Sequence, residues 1–224
     1  MEYRELSNGV RMPVIGYGVF QIPPERTGRC VRDAREVGYR LSDTAQAYGN
    51  EAGVGKAIRE SGIDRGEVFV TSKVWVSNMN YERAKASIDA SLETMGLDHI
   101  DLMLLHQAYG DYHGAWRALE EAYHDGKLRA IGVSNFYPVR LMDMCAFAEI
   151  PPMVNQVETH VFCQQVEAHE NMNRLGVVHE AWGPFAEGRN GVFVSPVLTG
   201  IGEKHGKSTA QVMLRWMMDR GIVP

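Results

Sequence analysis

The sequence predicts a parallel (β/α)8 barrel of the TIM type, preceded by an N-terminal β-hairpin. Three observations point there. Short apolar runs alternate with amphipathic helical stretches along the 224 residues, the pattern of a parallel sheet with helices packed outside it. Six of those runs end in polar or aromatic side chains: Asp43, Lys73, His106, Ser134 with Asn135, Gln156, and Trp182. Groups at successive strand C-termini gather on one rim of a barrel, where barrel sites are built. The competing open, doubly wound sheet needs a glycine-rich phosphate loop after its first strand. Here Gly16-Tyr17-Gly18-Val19-Phe20-Gln21 lacks the third glycine and the immediate helix.

The elements follow in order. Tyr3 to Leu6 and Val10 to Met12 flank Asn8-Gly9, a dipeptide favoured where both turn residues need positive φ. Val14 to Gly18 is a short first strand, broken by Pro23-Pro24, where a helix to about Val37 begins. The second strand runs from Tyr39 into Asp43, the third from Val68 into Lys73 and the fourth from Ile100 into His106. The fifth runs from Ala130 into Asn135, the sixth from Met153 into Gln156 and the seventh from Val177 into Trp182. Helices are expected near 50–60, 80–95, 113–125, 138–147, 164–175 and 207–219. Their apolar residues recur at three- and four-residue spacing, as at Ala84, Ile88, Leu92 and Met95. Gly38, Gly96, Gly126 and Gly176 follow helix ends, where glycine takes the left-handed conformation at little cost. Ile222-Val223-Pro224 reads as the start of an eighth strand. No low-complexity linker interrupts the series, so residues 1–224 are taken as one domain.

Composition excludes several classes. A net charge of −5 with scattered basic residues gives no nucleic-acid footprint. The row Arg26, Arg29, Arg32 and Arg35 is expected to be a solvated helix face. Cys30, Cys145 and Cys163 are widely spaced, without a CxxC pair, which fits reduced thiols in the cytoplasm. No signal core opens the chain, and no apolar run approaches the ~18 residues that span a bilayer. His179-Glu180 has no second histidine one helical turn on, and His106 and His113 are separated by a glycine-containing loop, so no metal site is expected.

Five ordered motifs carry a family resemblance. They are Asp43-Thr44-Ala45-Gln46-Ala47-Tyr48-Gly49-Asn50-Glu51, Thr71-Ser72-Lys73-Val74-Trp75, Leu104-Leu105-His106-Gln107, Gly132-Val133-Ser134-Asn135-Phe136 and Val154-Asn155-Gln156-Val157-Glu158. With the hairpin, they resemble the aldo-keto reductases over essentially the whole chain. Ala181-Trp182-Gly183-Pro184-Phe185-Ala186-Glu187-Gly188 resembles the bacterial branch of the 2,5-diketo-D-gluconate reductases.

The resemblance implies that hydride passes from NADPH to the carbonyl of a small aldehyde or ketone. Tyr48 is the expected proton donor, because a phenol of ordinary pKa ~10 holds its proton at neutral pH and gives it up reluctantly. Lys73 is the expected ammonium. At ~4 Å and an effective dielectric of ~20 it would favour the phenolate by about 4 kcal/mol, or ~3 pKa units, before burial opposes it. Asp43 would hold the lysine, and His106 would stand opposite as a neutral donor to the substrate oxygen. By the same resemblance Gly18, Val19, Asp43, Ser134, Asn135, Gln156, Trp182, Gly183 and Phe185 would hold the cofactor. Trp182 would stack the nicotinamide, and the amide and hydroxyl groups would suit its carboxamide. Phe20, Tyr48, Trp75, His106 and Tyr109 would face the substrate.

The family continues past Pro224 to complete the eighth strand. It then adds a Lys-Ser pair with a downstream Arg for the 2′-phosphate, a last helix and a C-terminal loop. The expectation is therefore a barrel ending within or just before strand eight, without its last helix. It would have an exposed apolar groove, an unpaired edge and weak cofactor binding. NADH stays open beside NADPH. Two alternatives also stay open: a non-catalytic cofactor-sensing module on the same fold, like the β-subunits of potassium channels, and an inactive fragment. The resemblance implies a monomer.

Overall fold

A computed structural model describes residues 1–224. The opening hairpin pairs β1 (Tyr3–Glu5) with β2 (Arg11–Pro13) in antiparallel register. Its turn differs from the expected one. Gly9 has φ 83°, whereas Asn8 is absent from the positive-φ residues. Gly9 N–H donates to Leu6 O and Leu6 N–H to Val10 O, both at 2.9 Å. One left-handed glycine in a longer loop therefore does the work of two positive-φ residues.

Seven strands then form a parallel sheet in sequence order. They are β3 (Gly16–Gly18), β4 (Leu41–Asp43), β5 (Phe69–Val74), β6 (Leu102–Leu105), β7 (Ile131–Ser134), β8 (Val154–Glu158) and β9 (Val178–Trp182). The helices between and after them are α1 (Pro24–Glu36), α2 (Glu51–Arg59), α3 (Tyr81–Met95), α4 (Tyr112–His124), α5 (Pro138–Phe147), α6 (Val166–Leu175), α7 (Pro196–His205) and α8 (Thr209–Asp219). None is long and apolar enough to cross a membrane.

Residues 223–224 bridge the two ends of this sheet. Val223 N–H donates to His179 O (3.0 Å), and Ala181 N–H donates to Val223 O (2.7 Å). On the other side Gly16 N–H donates to Pro224 O at 2.9 Å. The unpaired edge expected between β9 and β3 is thus occupied over these residues, and Ile222, Val223 and Pro224 are buried.

The core lies between the strands and the surrounding helices. Trp116 and Met144 from the helices, with Leu105 and Val133 from the strands, are fully buried in it. The stripe on α3 behaves as expected: Ala84, Ile88 and Met95 are buried. Asn80 caps that helix by accepting from Arg83 N–H (2.9 Å), and Gly96 ends it at φ 62°. The base of the barrel is pinned by Asp101, fully buried, which accepts from Arg65 (2.6 Å), Arg129 (2.7 Å) and Val70 N–H (2.9 Å).

Two expectations fail locally. Arg35 is not part of a solvated row; it is 6% exposed, whereas Arg26, Arg29 and Arg32 face solvent. The row follows α1 around, and its last member turns inward. Helix α7 was not expected. Gly200 and Gly202 weaken its helix propensity, and Val197 and Ile201 are exposed, so no apolar stripe announces it. Gly202 is required because a side chain there would strike the Lys207 carbonyl.

Candidate active site

The strand ends deliver their side chains to one cleft of about 920 Å³, within the ~300–1,000 Å³ of small-molecule sites. Asp43, Tyr48, Trp75, His106, Ser134, Asn135, Gln156 and Trp182 all line it. Lys73 lies beneath, completely buried. Gly18, Phe20, Gly183 and Phe185 complete this wall. Two expected residues stand apart. Val19 is fully buried, its N–H donating to Asp43 O (3.0 Å) and its carbonyl accepting from Asn50 (2.9 Å). Tyr109 is 67% exposed and does not line the cleft.

Tyr48 sits on a 3-10 turn, Gln46–Tyr48, ended by Gly49 at φ 67°. Hydrogen bonds brace that turn on both flanks. Gln46 Oε1 accepts from Trp75 N–H and Asn78 Nδ2, both at 3.0 Å, and its Nε2 donates to Ser87 O (3.1 Å) and Ser91 Oγ (3.2 Å). Thr44 Oγ1 donates to Asn50 Oδ1 at 2.7 Å. The tyrosine therefore approaches the lysine from a held backbone.

A polar chain runs under the cleft. Lys73 Nζ donates to Asp43 Oδ1 (2.5 Å), Thr44 O (3.0 Å) and Tyr48 Oη (3.5 Å). Gln156 Nε2 donates to Asp43 Oδ2 at 2.9 Å. Ser134 Oγ donates to Gln156 O (2.9 Å), and Asn135 Nδ2 donates to Ser134 Oγ and His106 O, both at 3.1 Å. Trp182 Nε1 donates to Asn135 Oδ1 at 2.9 Å. Asn135 achieves this at φ 62°, a left-handed conformation that asparagine tolerates better than most residues.

Burial sets the charges. For Lys73, burial favours losing the proton, but Asp43 first, then Tyr48 and Glu180, outweigh it and hold the ammonium. For Tyr48, burial is the largest influence and raises the pKa. Lys73 opposes this, and Asp43 pushes it up again. The sequence left the balance between lysine and burial open; in the structure desolvation prevails, and the phenol keeps its proton above the ordinary tyrosine range. His106 is lowered to about 3, by burial and then by Lys73, so its imidazole is neutral near pH 7. Its ring meets Tyr48 and Trp75 edge-on, with centroids 5.8 and 4.9 Å away.

Sequence reading missed Glu180. It is 3% exposed, lines the cleft and stands two residues before Trp182 on β9. The strand period of two was the available signal: a cleft-facing Trp182 puts Glu180 on the same side. Gln21, Gln107 and Glu187 also reach the cleft, as do Tyr17, Tyr39, Leu41, Leu214 and Pro224.

The cleft thus holds a tyrosine beside a buried lysine–aspartate pair, with a neutral histidine facing it. Residues 14–191 match the model of the Aldo/keto reductase family. The chain belongs to the aldo-keto reductase family. Among its relatives, the glyoxal reductase of Bacillus subtilis is 47% identical over 98% of this chain and 79% of its own length. The morphine 6-dehydrogenase of Pseudomonas putida is 42% identical over 97% and 78%. A solved structure named for 2,5-diketo-D-gluconic acid reductase B superposes with a TM-score of 0.94, at 39% identity over the whole of this chain and 80% of that one. The chain is an oxidoreductase of this family, and the family uses nicotinamide cofactors, generally NADP(H).

Proposed function

We propose that this aldo-keto reductase reduces small aldehydes and ketones with NADPH, Tyr48 giving the proton. The observation that carries the reading is the chain from Tyr48 Oη through Lys73 Nζ (3.5 Å) to Asp43 Oδ1 (2.5 Å), with neutral His106 in the same cleft. The cofactor fits the residues present. The Trp182 ring lines the wall, and Gly18 and Gly183 leave bare backbone where an added Cβ would meet nothing within 4 Å. Ser134, Asn135 and Gln156 are tied to one another, so they would offer a carboxamide their remaining lone pairs and N–H groups. Bound nicotinamide would supply the hydride.

The protein's own part is to orient and to move a proton. His106, uncharged, would hydrogen-bond the carbonyl oxygen and fix which face of the carbon is presented. Tyr48 would pass its proton to that oxygen as negative charge develops there. Lys73 would stabilise the phenolate left behind, and Asp43 would keep Lys73 charged and in reach. Phe20 and Trp75 would exclude water from the exchange.

Tyr48→Phe tests this. Reduction of an aldehyde panel should fall by about 100-fold or more, since positioned general acids contribute ~10²–10⁴-fold. Cofactor affinity, read by fluorescence quenching with NADPH and NADH, should stay within a few-fold. Retained turnover refutes the role of Tyr48. Tight cofactor binding with no turnover in the parent protein refutes the reductase reading in favour of a sensor.

A further inference from the structure

Glu180 is the one buried acid of the cleft that the scheme above leaves unused. Its geometry ties it to the proton-handling groups. On β9 it registers against Gln156 of β8, whose amide donates to Asp43 Oδ2 at 2.9 Å. Asp43 grips Lys73, and Lys73 reaches Tyr48. On its other flank Glu180 bridges to Val223, which brings no titratable group. β3 brings one titratable group, Tyr17, whose ring packs on Tyr39 and whose phenol is held neutral, pushed up by burial and by Cys30. The charges facing it are therefore Asp43 from β4, Lys73 from β5 and Tyr48 from the turn after β4. One carboxyl oxygen, Oε2, is buried with no hydrogen-bond partner. Such an oxygen is expensive to bury, and more so if charged.

We propose that Glu180 is a further positioning residue, a buried carboxyl group that sets the charge balance of the Asp43–Lys73 pair and, through it, the readiness of Tyr48 to release its proton. This rests on the reductase reading above. With Glu180 neutral, Asp43 and Lys73 cancel, and Tyr48 sees a balanced pair. With Glu180 ionised, the cluster carries one net negative charge. Both Lys73 and Tyr48 then hold their protons more tightly, and Tyr48 becomes a weaker acid. Burial first, then Asp43, pushes the Glu180 carboxyl up to about 8 against the pull of Lys73, so the change falls just above neutrality. Reduction should slow as pH rises through that point, before Tyr48, held up by burial, ionises.

The test compares the parent enzyme with Glu180→Gln and Glu180→Asp, following NADPH-dependent aldehyde reduction from neutral to alkaline pH. The parent should lose several-fold in kcat with a midpoint near about 8, with KM little changed. Glu180→Asp should keep an inflection, and Glu180→Gln should lose it. A Glu180→Gln profile that overlays the parent's overturns the proposal.

An infrared titration of the protein alone gives a readout independent of turnover. A neutral carboxyl band should be present at neutral pH and vanish at alkaline pH. It should shift in Glu180→Asp and survive in Glu51→Gln, which removes another buried acid pushed up by burial, bonded to Ser72 (2.5 Å). Absence of that band also overturns the proposal, and decides the matter if Glu180→Gln does not fold. Failure of the reductase reading looks different: no turnover at any pH, with the band intact and the Tyr48 phenolate titration still lowered by Glu180→Gln; an unmoved Tyr48 titration overturns the Glu180 proposal instead.

Discussion

Replacing Lys73 with methionine isolates the electrostatic support of Tyr48. The side chains are similar in length, so the change removes a charge more than a volume. The ammonium lies 3.5 Å from Tyr48 Oη. At an effective dielectric of ~20 that distance corresponds to about 5 kcal/mol of attraction for a phenolate, or ~3.5 pKa units. Asp43 is 2.5 Å from the same ammonium and damps its field, so the net loss is smaller, about 1–3 units. Tyr48, already raised by burial, should rise further, and carbonyl reduction at neutral pH should fall by about 100-fold or more. The phenolate absorbance of Lys73→Met, with the same variant carrying Tyr48→Phe subtracted, isolates Tyr48 from the other eight of the nine tyrosines. Breaking a buried pair also costs stability, about 3–5 kcal/mol. Asp43→Asn with Lys73→Met is the charge-balanced control for that loss. A Tyr48 titration in Lys73→Met within about half a unit of the parent's, or a kcat within about threefold, would refute the assignment of Lys73.

Three further outcomes concern stability. Asp101 is drawn below the ordinary carboxylate range: burial raises it, but His99, Arg65 and the Val70 N–H together outweigh burial. A depressed carboxylate stabilises the fold above its unfolded pKa and loses that contribution as pH falls through the folded one. Asp101→Asn should therefore destabilise the protein by about 3–5 kcal/mol at neutral pH, and urea unfolding should show the gap narrowing below about pH 4. Glu180 has the opposite sign. Its raised pKa destabilises the folded state increasingly from about pH 4.5 up to about 8, so Glu180→Gln should melt at a higher temperature than the parent at neutral pH and no higher in acid. Gly55→Ala would drive a methyl group into the Met95 carbonyl where α2 meets α3. A fall of about 1–3 kcal/mol in unfolding free energy is expected, and an unchanged urea midpoint would show that the helices part freely.

Much of this molecule was legible in one dimension. A parallel strand buried on both faces is a short apolar run, and a helix outside it repeats every three to four residues, so β3 to β9 and seven of the eight helices announce themselves. The row of strand-end side chains was equally readable, since a parallel barrel places every strand terminus on one rim. Helix α7 was not, because two glycines and an exposed apolar face erase the periodic signal. Nor was Arg35, whose burial depends on what packs against the end of α1. Val19 sits between the cleft residues Gly18 and Phe20, and Tyr109 two positions past Gln107, yet both face elsewhere, because residues close in a strand or loop point in different directions.

The energetic balance lay furthest from the sequence. Residue types named Tyr48, Lys73, Asp43 and His106, but whether the lysine or desolvation prevails at the tyrosine depends on distances and on water exclusion. The same holds for Glu180, an ordinary acid in the sequence that becomes a buried one only because β9 registers against β8 and Val223. Local pattern determined which elements form and which rim carries the chemistry. Tertiary structure alone decided which groups are desolvated together, because Coulomb energies and burial are properties of three-dimensional proximity.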